Sequence, residues 1–238
     1  LYLWRYRGSV ATVYVAGTLH MLKPALHPLP AQLEAAFTAA DRLVVEVDLT
    51  RMAAADLQRL TLERARLPAG ERLSDLLGPA RARELEARLA RYGLTPAMFE
   101  ATGPAFVTQQ LVVARLMALG YDSASGVEEH YLARRGSRPV AELESVEAQL
   151  ALLFDHPIET QLAVFDDALA MEASVEPVLA QMITAWLAGD DAALDAALAV
   201  QAYPDQRLDD YRHALLDARH DGMAQGIAGR VLGAGEEV

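Results

Sequence analysis

The sequence contains no cysteine, which excludes disulfide bonds, cysteine–zinc sites and cysteine nucleophiles. Aromatic residues are also scarce, at 6% of the 238 residues, so aliphatic side chains must fill most of the core. A core rich in alanine and leucine favours helices, because both are strong helix formers. No apolar run approaches the roughly 18–20 residues that cross a bilayer, so we predict no transmembrane segment.

Positive charge is in short supply as well. The chain has 21 lysines and arginines against 33 aspartates and glutamates, for a net charge of −12. Such a surface repels phosphate backbones, so we do not expect nucleic-acid binding. The remaining composition, 53% hydrophobic and 23% charged, is typical of a globular protein, and the length suits one domain.

Short β-rich runs alternate with long helical stretches. Two of these runs, 1–7 and 10–16, flank Gly8-Ser9 and predict a hairpin, and two others, 43–49 and 139–143, predict core strands. Apolar spacing predicts helices over 31–40, 51–66, 79–92, 104–119, 127–135, 146–154, most of 158–200, and 206–232. The order of the first elements, β-β-α-β, indicates the α/β class.

His20 is the first candidate for chemistry. It follows the second β-rich run in Gly17-Thr-Leu-His20, and strand ends are where open α/β sheets collect ligands. A single GxxH pattern is common by chance, so taken alone it fits an ordinary loop histidine better.

Glu46 and Asp48 interrupt the apolar run Leu43–Leu49. Burying an unpaired carboxylate costs several kcal/mol, so Glu46 must be paired with another group, bound to a metal ion or located at the end of the strand. The two side chains would share one face of a strand. The alternative interpretation is that both cap the following loop and helix.

Three further charged positions complete the set. Glu144 directly follows the last strand candidate and points to the same face as Glu142, and its alternative role is to cap the next helix. Glu128 lies near a helix start, where the helix dipole favours a carboxylate and capping suffices to explain it. Arg219 falls inside a predicted helix, either as a surface salt bridge or as a cation directed at the carboxylates.

Taken in order, these motifs resemble the TraB/GumN family. The resemblance covers nearly the whole chain and rests on Gly17-Thr-Leu-His20, Val44-Val-Glu46-Val-Asp48, Gly126-Val-Glu128, Pro139-Val-Ala-Glu-Leu-Glu144 and Leu215-Leu-Asp-Ala-Arg219. That family belongs with the Tiki metalloproteases and, more distantly, with ChaN and erythromycin-esterase-like proteins. It implies one domain over 1–238, with a small central, mostly parallel or mixed sheet and large helical insertions at about 50–120 and 158–205.

The resemblance also implies a divalent-metal-dependent hydrolase. Peptides are the leading substrate class, followed by small molecules, and the compartment implied is extracytoplasmic. The implied metal ligands are His20, Glu46 and Glu144, and Glu46, Glu144 and Arg219 are the implied catalytic residues. Glu128 and Asp48 are further candidates. Imidazole and carboxylate ligands suit Mn, Co or Zn, and such an ion would activate a bound water.

Two features depart from the family pattern. The family carries a second GxxH on a late strand beyond the arginine, whereas this chain has one GxxH. We interpret the chain as a trimmed piece of a longer product, and we expect that strand and one candidate ligand to be missing from it. His220 also stands where the family usually has asparagine after the arginine. Two alternatives stay open: a non-enzymatic ligand- or metal-binding protein of the same fold, and a helical interaction protein.

Overall fold

Helices dominate the computed structural model, which describes residues 1–8, 11–199 and 205–231. They are α1 (Ala31–Ala39), α2 (Ala54–Ala65), α3 (Leu73–Leu89), α4 (Pro104–Ala118), α5 (Val127–Ala133), α6 (Val146–Phe154), α7 (Ile158–Ala170), α8 (Val175–Ala188), α9 (Asp191–Ala199), α10 (Gln206–Leu215) and α11 (His220–Val231). Short 3-10 turns separate several of them, including Leu49–Arg51 and Asp217–Arg219. No helix in these parts of the chain is long and apolar enough to cross a membrane.

The strands in the described part of the chain form two separate sheets of two strands each. Strand β1 (Leu3–Arg7) pairs antiparallel with β2 (Thr12–Ala16), and β3 (Leu43–Val45) pairs in parallel with β4 (Val140–Glu142). The predicted hairpin is confirmed, although Ser9 and Val10 of its turn lie outside the described residues. The predicted α/β class is confirmed only as a helix-rich fold with small sheets, because the described strands do not join into one central sheet.

The apolar run 43–49 is a strand for only three residues, which corrects the longer strand predicted there. Strand β3 ends at Val45, and Asp48 begins a 3-10 turn in which its Oδ1 accepts a hydrogen bond from the backbone N–H of Thr50 at 3.1 Å. In a capped turn the side chain bonds to backbone N–H groups, whereas in a longer strand those groups would need a neighbouring strand as their partner. The capping interpretation therefore holds for Asp48 and not for the whole acidic pair.

The helical stretches follow the predictions with two corrections: the helix predicted over 79–92 begins earlier, at Leu73, and the helix predicted over 206–232 is divided. The stretch 50–120 holds α2, α3 and α4, and Gly78 marks a kink within α3, where its φ is 68°. The stretch 158–205 holds α7, α8 and α9, with residues 200–204 outside the described part. The single helix predicted over 206–232 is wrong: α10 and α11 are separated by the turn Asp217–Arg219, and residue 232 is not described.

Two hydrophobic clusters hold these elements together. The first joins α2, α3, α4, α6 and α7 around Phe165, Leu89 and Val107, which are fully buried. The second joins the start of the chain and the hairpin to α1, α5 and α8, and it includes the buried side chains of Leu22 and Trp186. The predicted site residues lie beside the second cluster and at the ends of β3 and β4.

Replacing Phe165 with alanine tests the first cluster. The Phe165→Ala change removes a side chain with 0% exposure, so we expect the free energy of unfolding to fall by about 3–5 kcal/mol in urea denaturation. The Met117→Ala control removes a side chain that is 63% exposed, and its effect should stay within about 0.5 kcal/mol. Equal effects from the two changes would contradict this arrangement of the core.

Candidate functional site

The loop after β2 is fixed by backbone contacts before it reaches His20. The backbone N–H of Gly17 donates to the carbonyl of Tyr2 at 2.9 Å, and the indole Nε1–H of Trp186 donates to the carbonyl of Gly17 at 2.8 Å. A Cβ on Gly17 would lie 3.0 Å from the Cβ of Tyr2, so glycine permits this close approach. The segment Gly17–His20 therefore leaves the hairpin in a defined direction.

The start of α5 packs directly against His20. The backbone N–H of Val127 donates to the carbonyl of Leu19 at 3.0 Å. A Cβ on Gly126 would collide with the backbone carbonyl of His20, so only glycine fits at that position. The first turn of α5 consequently carries Glu128 beside the imidazole.

His20 and Glu128 form an ion pair at the open end of the site. The imidazole Nδ1 lies 3.3 Å from Oε2 of Glu128, and Oε1 of the same carboxylate accepts a hydrogen bond from the backbone N–H of Glu46 at 3.1 Å. The hydrogen bond to Glu128 raises the pKa of His20, although partial burial opposes the shift. Burial by itself would raise the pKa of Glu128, but its bonds with His20 and Glu46 outweigh that effect and lower it.

The ends of β3 and β4 bring two more carboxylates together. The parallel ladder continues past both strands, since the backbone N–H of Leu143 donates to Val45 and that of Glu144 donates to Glu46, each at 2.9 Å. Carboxyl ends of parallel strands lie at the same edge of a sheet, so Glu46 and Glu144 project from neighbouring positions.

Arg219 bridges these two carboxylates from the turn between α10 and α11. Its Nε donates to Oε1 of Glu144 at 2.7 Å, and its Nη2 donates both to Oε2 of Glu144 at 2.6 Å and to Oε2 of Glu46. These bonds, first of all those with Glu144, raise the pKa of the guanidinium above its ordinary value. Gln149 completes the group, because its Nε2 donates to both carboxylates at 3.3 Å.

The site therefore has a closed end and an open end. The side chains of Arg219 and Glu144 are only 18% and 13% exposed, whereas that of His20 is 69% exposed. At the closed end the guanidinium of Arg219 and the carboxylates of Glu46 and Glu144 bond to one another, and at the open end the imidazole of His20 faces solvent.

Most predicted residues meet here, and one does not. His20, Glu128, Glu46, Glu144 and Arg219 form one connected set of contacts. Asp48 is outside the set: its carboxylate caps the next turn, and its backbone N–H donates to Oε1 of Glu142.

Sequence reasoning missed Gln149. The signal that could have identified it is its place near the start of α6, five residues after Glu144. That helix start is fixed by Ser145, whose Oγ accepts a hydrogen bond from the backbone N–H of Ala148 at 3.1 Å. Glutamine carries no charge, so it does not stand out in the sequence as the ionisable residues do.

The predicted metal ligands do not fit a metal ion as they are placed. Imidazole and carboxylate are suitable ligands for Mn, Co or Zn. Within residues 1–8, 11–199 and 205–231, however, no three or more histidine, aspartate or glutamate side chains are arranged to hold an ion. Glu46 and Glu144 turn their oxygens toward a guanidinium instead.

Comparison with known proteins identifies relatives of the chain. The sequence model of the TraB/PrgY/gumN family matches residues 2–238. The uncharacterized protein YbaP of Escherichia coli (strain K12) is 28% identical over 176 residues, which cover 73% of this chain and 63% of YbaP. The uncharacterized protein YbaP of Shigella flexneri matches with the same figures. The chain thus spans less than two thirds of the length of these relatives, and no solved structure matches it.

Removing the charge of Glu128 tests the His20 pair. In the Glu128→Gln variant we expect NMR titration to give a lower pKa for His20 than in the wild type. The raised pKa of His20 makes the pair stabilising below pH 6.5, and this contribution is lost as the pH rises through the raised value. The lowered pKa of Glu128 makes the pair stabilising above pH 4.5, with loss as the pH falls through the lowered value.

The difference in unfolding free energy between wild type and Glu128→Gln should therefore be largest between pH 4.5 and 6.5. Glu147→Gln, on the first turn of α6, is the matched control and should leave the titration of His20 unchanged. An unaltered pKa for His20 in the Glu128 variant would contradict the pairing.

A methyl group at Gly126 tests how His20 is positioned. Because a Cβ there meets the carbonyl of His20, Gly126→Ala should shift the backbone and weaken the contact between His20 and Glu128. We expect the NMR-measured pKa of His20 to fall in this variant. Gly229→Ala, where no atom lies within 4 Å of the added Cβ, should not change it.

Proposed function

We propose a function from one established premise: the chain belongs to the TraB/PrgY/gumN family. The proposed function is hydrolysis of peptide bonds by a protein of the Tiki-like type, with a divalent cation as cofactor. One observation carries the proposal: an exposed imidazole, oriented by a half-buried glutamate, stands at the edge of a carboxylate–arginine cluster at the ends of two parallel strands.

His20 is the proposed acid–base residue. When Nδ1–H donates to Glu128, the other ring nitrogen, Nε2, is the proton acceptor. That nitrogen would take a proton from water as the water oxygen attacks the substrate carbonyl, and would return it to the departing amine. A raised pKa strengthens the imidazole as a base, which suits this role.

Glu128 and the closed end of the site act as positioning groups in this proposal. The backbone N–H of Glu46 holds Glu128, and the side chain of Glu46 is held by Arg219. Arg219 is already bonded to two carboxylates, so it anchors the cluster and does not grip a substrate carboxylate. The bonds of Arg219 with the side chains of Glu46 and Glu144 thus hold in place the backbone of Glu46, which positions Glu128 and, through it, His20.

The divalent cation, Mn, Co or Zn, enters the proposal through the family. The described side chains offer it no prepared ligand set, so the proton transfers above belong to His20 alone. Such an ion would polarise a substrate carbonyl when bound. Peptides remain the leading substrate class and an extracytoplasmic location the leading compartment, both by family membership. Ligand binding without turnover would favour the alternative of a non-enzymatic binding protein.

Peptide cleavage should depend on His20. The protein is incubated with a quenched-fluorescent peptide library, with EDTA or with added Mn²⁺, Co²⁺ or Zn²⁺, and products are identified by mass spectrometry. We expect cleavage with a cation and a loss of about 10²–10⁴-fold in rate in His20→Ala, the range typical of a removed acid–base group.

The matched control is His213→Ala, because that imidazole is also exposed, at 67%, and pairs with Asp217, four residues further along the chain. Its rate should equal that of the wild type. Cleavage retained in His20→Ala would show that His20 is not the acid–base residue. Cleavage that persists in EDTA would show that the reaction needs no divalent cation.

A further inference from the structure

Glu172 is a buried carboxylate that contacts three arginines. It lies in the 3-10 turn Met171–Ala173, directly after α7, and is 8% exposed. Its Oε2 pairs with Nη1 of Arg88, and its Oε1 lies 3.0 Å from Nη1 of Arg91 and 3.6 Å from Nη1 of Arg115. These arginines come from the last turn of α3, from the short turn after it and from the last turn of α4. Positive charge thus gathers here in a chain whose net charge is −12.

The guanidinium groups at Glu172 exceed the carboxylates that pair with them. Arg88 has a second partner in Glu84, one turn earlier on α3. In these ion pairs three guanidinium groups meet two carboxylates, which leaves one positive charge in excess. Hydrogen-bond donors are in excess as well, because the Nε–H groups of Arg88 and Arg115 are buried and have no partner in the described part of the chain. A buried donor without an acceptor is costly, so this cluster favours a further anionic group.

A recess in the surface opens beside this cluster. It is lined by two charged and four aliphatic residues, Arg115, Glu172, Leu111, Val112, Ala168 and Val175. The volume open to the centre of a water-sized group is about 20 Å³, which is enough for one small polar group. Val112 is 37% exposed, so the recess communicates with solvent.

We propose that this recess binds a small aliphatic carboxylate. The negative charge of the ligand offsets the excess positive charge of the cluster, and its oxygens accept hydrogen bonds from the guanidinium of Arg115. Its aliphatic part packs against the leucine and valine side chains of the lining. The proposal does not depend on the proposed function, because none of the lining residues belongs to the His20 site.

Glu172 and the ligand compete for the same guanidinium groups. Arg115 lies farther from the carboxylate of Glu172 than Arg91 does, so it is the arginine with most freedom to turn a donor toward a ligand. Removing the charge of Glu172 therefore strengthens ligand binding, whereas removing the charge of Arg115 weakens it. An ion-pair cluster with a purely structural role predicts a change in stability from both variants and carboxylate binding in neither.

Isovalerate, a branched aliphatic carboxylate, is the probe for this recess. NMR chemical-shift titration and calorimetry should show saturable binding to the wild type, with at least tenfold weaker binding of isovaleramide and of chloride at equal ionic strength. Arg115→Gln should lose at least tenfold in affinity, and Glu172→Gln should gain severalfold. Arg59→Gln is the control, because that exposed arginine pairs with Asp56 and Glu63 on α2, and it should bind like wild type.

Filling the recess gives a second test that leaves every charge in place. Ala168→Leu replaces a methyl group of the lining with an isobutyl group and should abolish isovalerate binding. Ala170→Leu, at an exposed position two residues further along α7, is the matched control and should bind like wild type. Circular dichroism checks that each variant is folded.

The comparison of probes and variants decides the proposal. It is overturned if isovalerate binds the wild type no more tightly than isovaleramide or chloride does. It is also overturned if folded Arg115→Gln or Ala168→Leu binds isovalerate like wild type, or if folded Glu172→Gln binds it no more tightly.

Discussion

The bridge from Arg219 to Glu46 and Glu144 is the interaction on which the site depends. It joins positions 173 and 75 residues apart along the chain, and it fixes the turn between α10 and α11 against the ends of β3 and β4. Removing one partner from a poorly exposed ion pair leaves an uncompensated charge, which typically costs about 3–5 kcal/mol when burial is complete. The side chains of these partners retain some exposure, so the cost here is lower.

A second chain of contacts connects that bridge to the hairpin. The backbone N–H of Glu46 holds Glu128, Glu128 holds the imidazole of His20, and the loop of His20 is tied to Trp186 through Gly17. The two small sheets do not pair with each other in the described residues. They are connected instead by Glu128 on α5, which contacts His20 after the hairpin and Glu46 after β3. Rigidity in the site thus comes from polar contacts more than from a continuous sheet.

Local sequence signals predicted the elements well where a single physical preference decides. The helical repeat over 146–154 and the β-rich runs about Gly8 lead to the observed helix α6 and to the observed strand pairing. They failed where two preferences compete. The run Leu43–Leu49 is apolar enough for a long strand, but the cap at Asp48 ends it, and the turn at Asp217–Arg219 interrupts an unbroken helical repeat.

The amino-acid order alone determined which residue types are available for chemistry, since the absence of cysteine, the single GxxH and the glutamates at strand ends are properties of the chain itself. It also supported membership of the family, because motif order survives where overall identity is low. Only the tertiary structure decided which charges neutralise which. Whether Arg219 lies on a surface or between Glu46 and Glu144 depends on how α10 and α11 pack, and no local preference encodes a contact between positions so far apart.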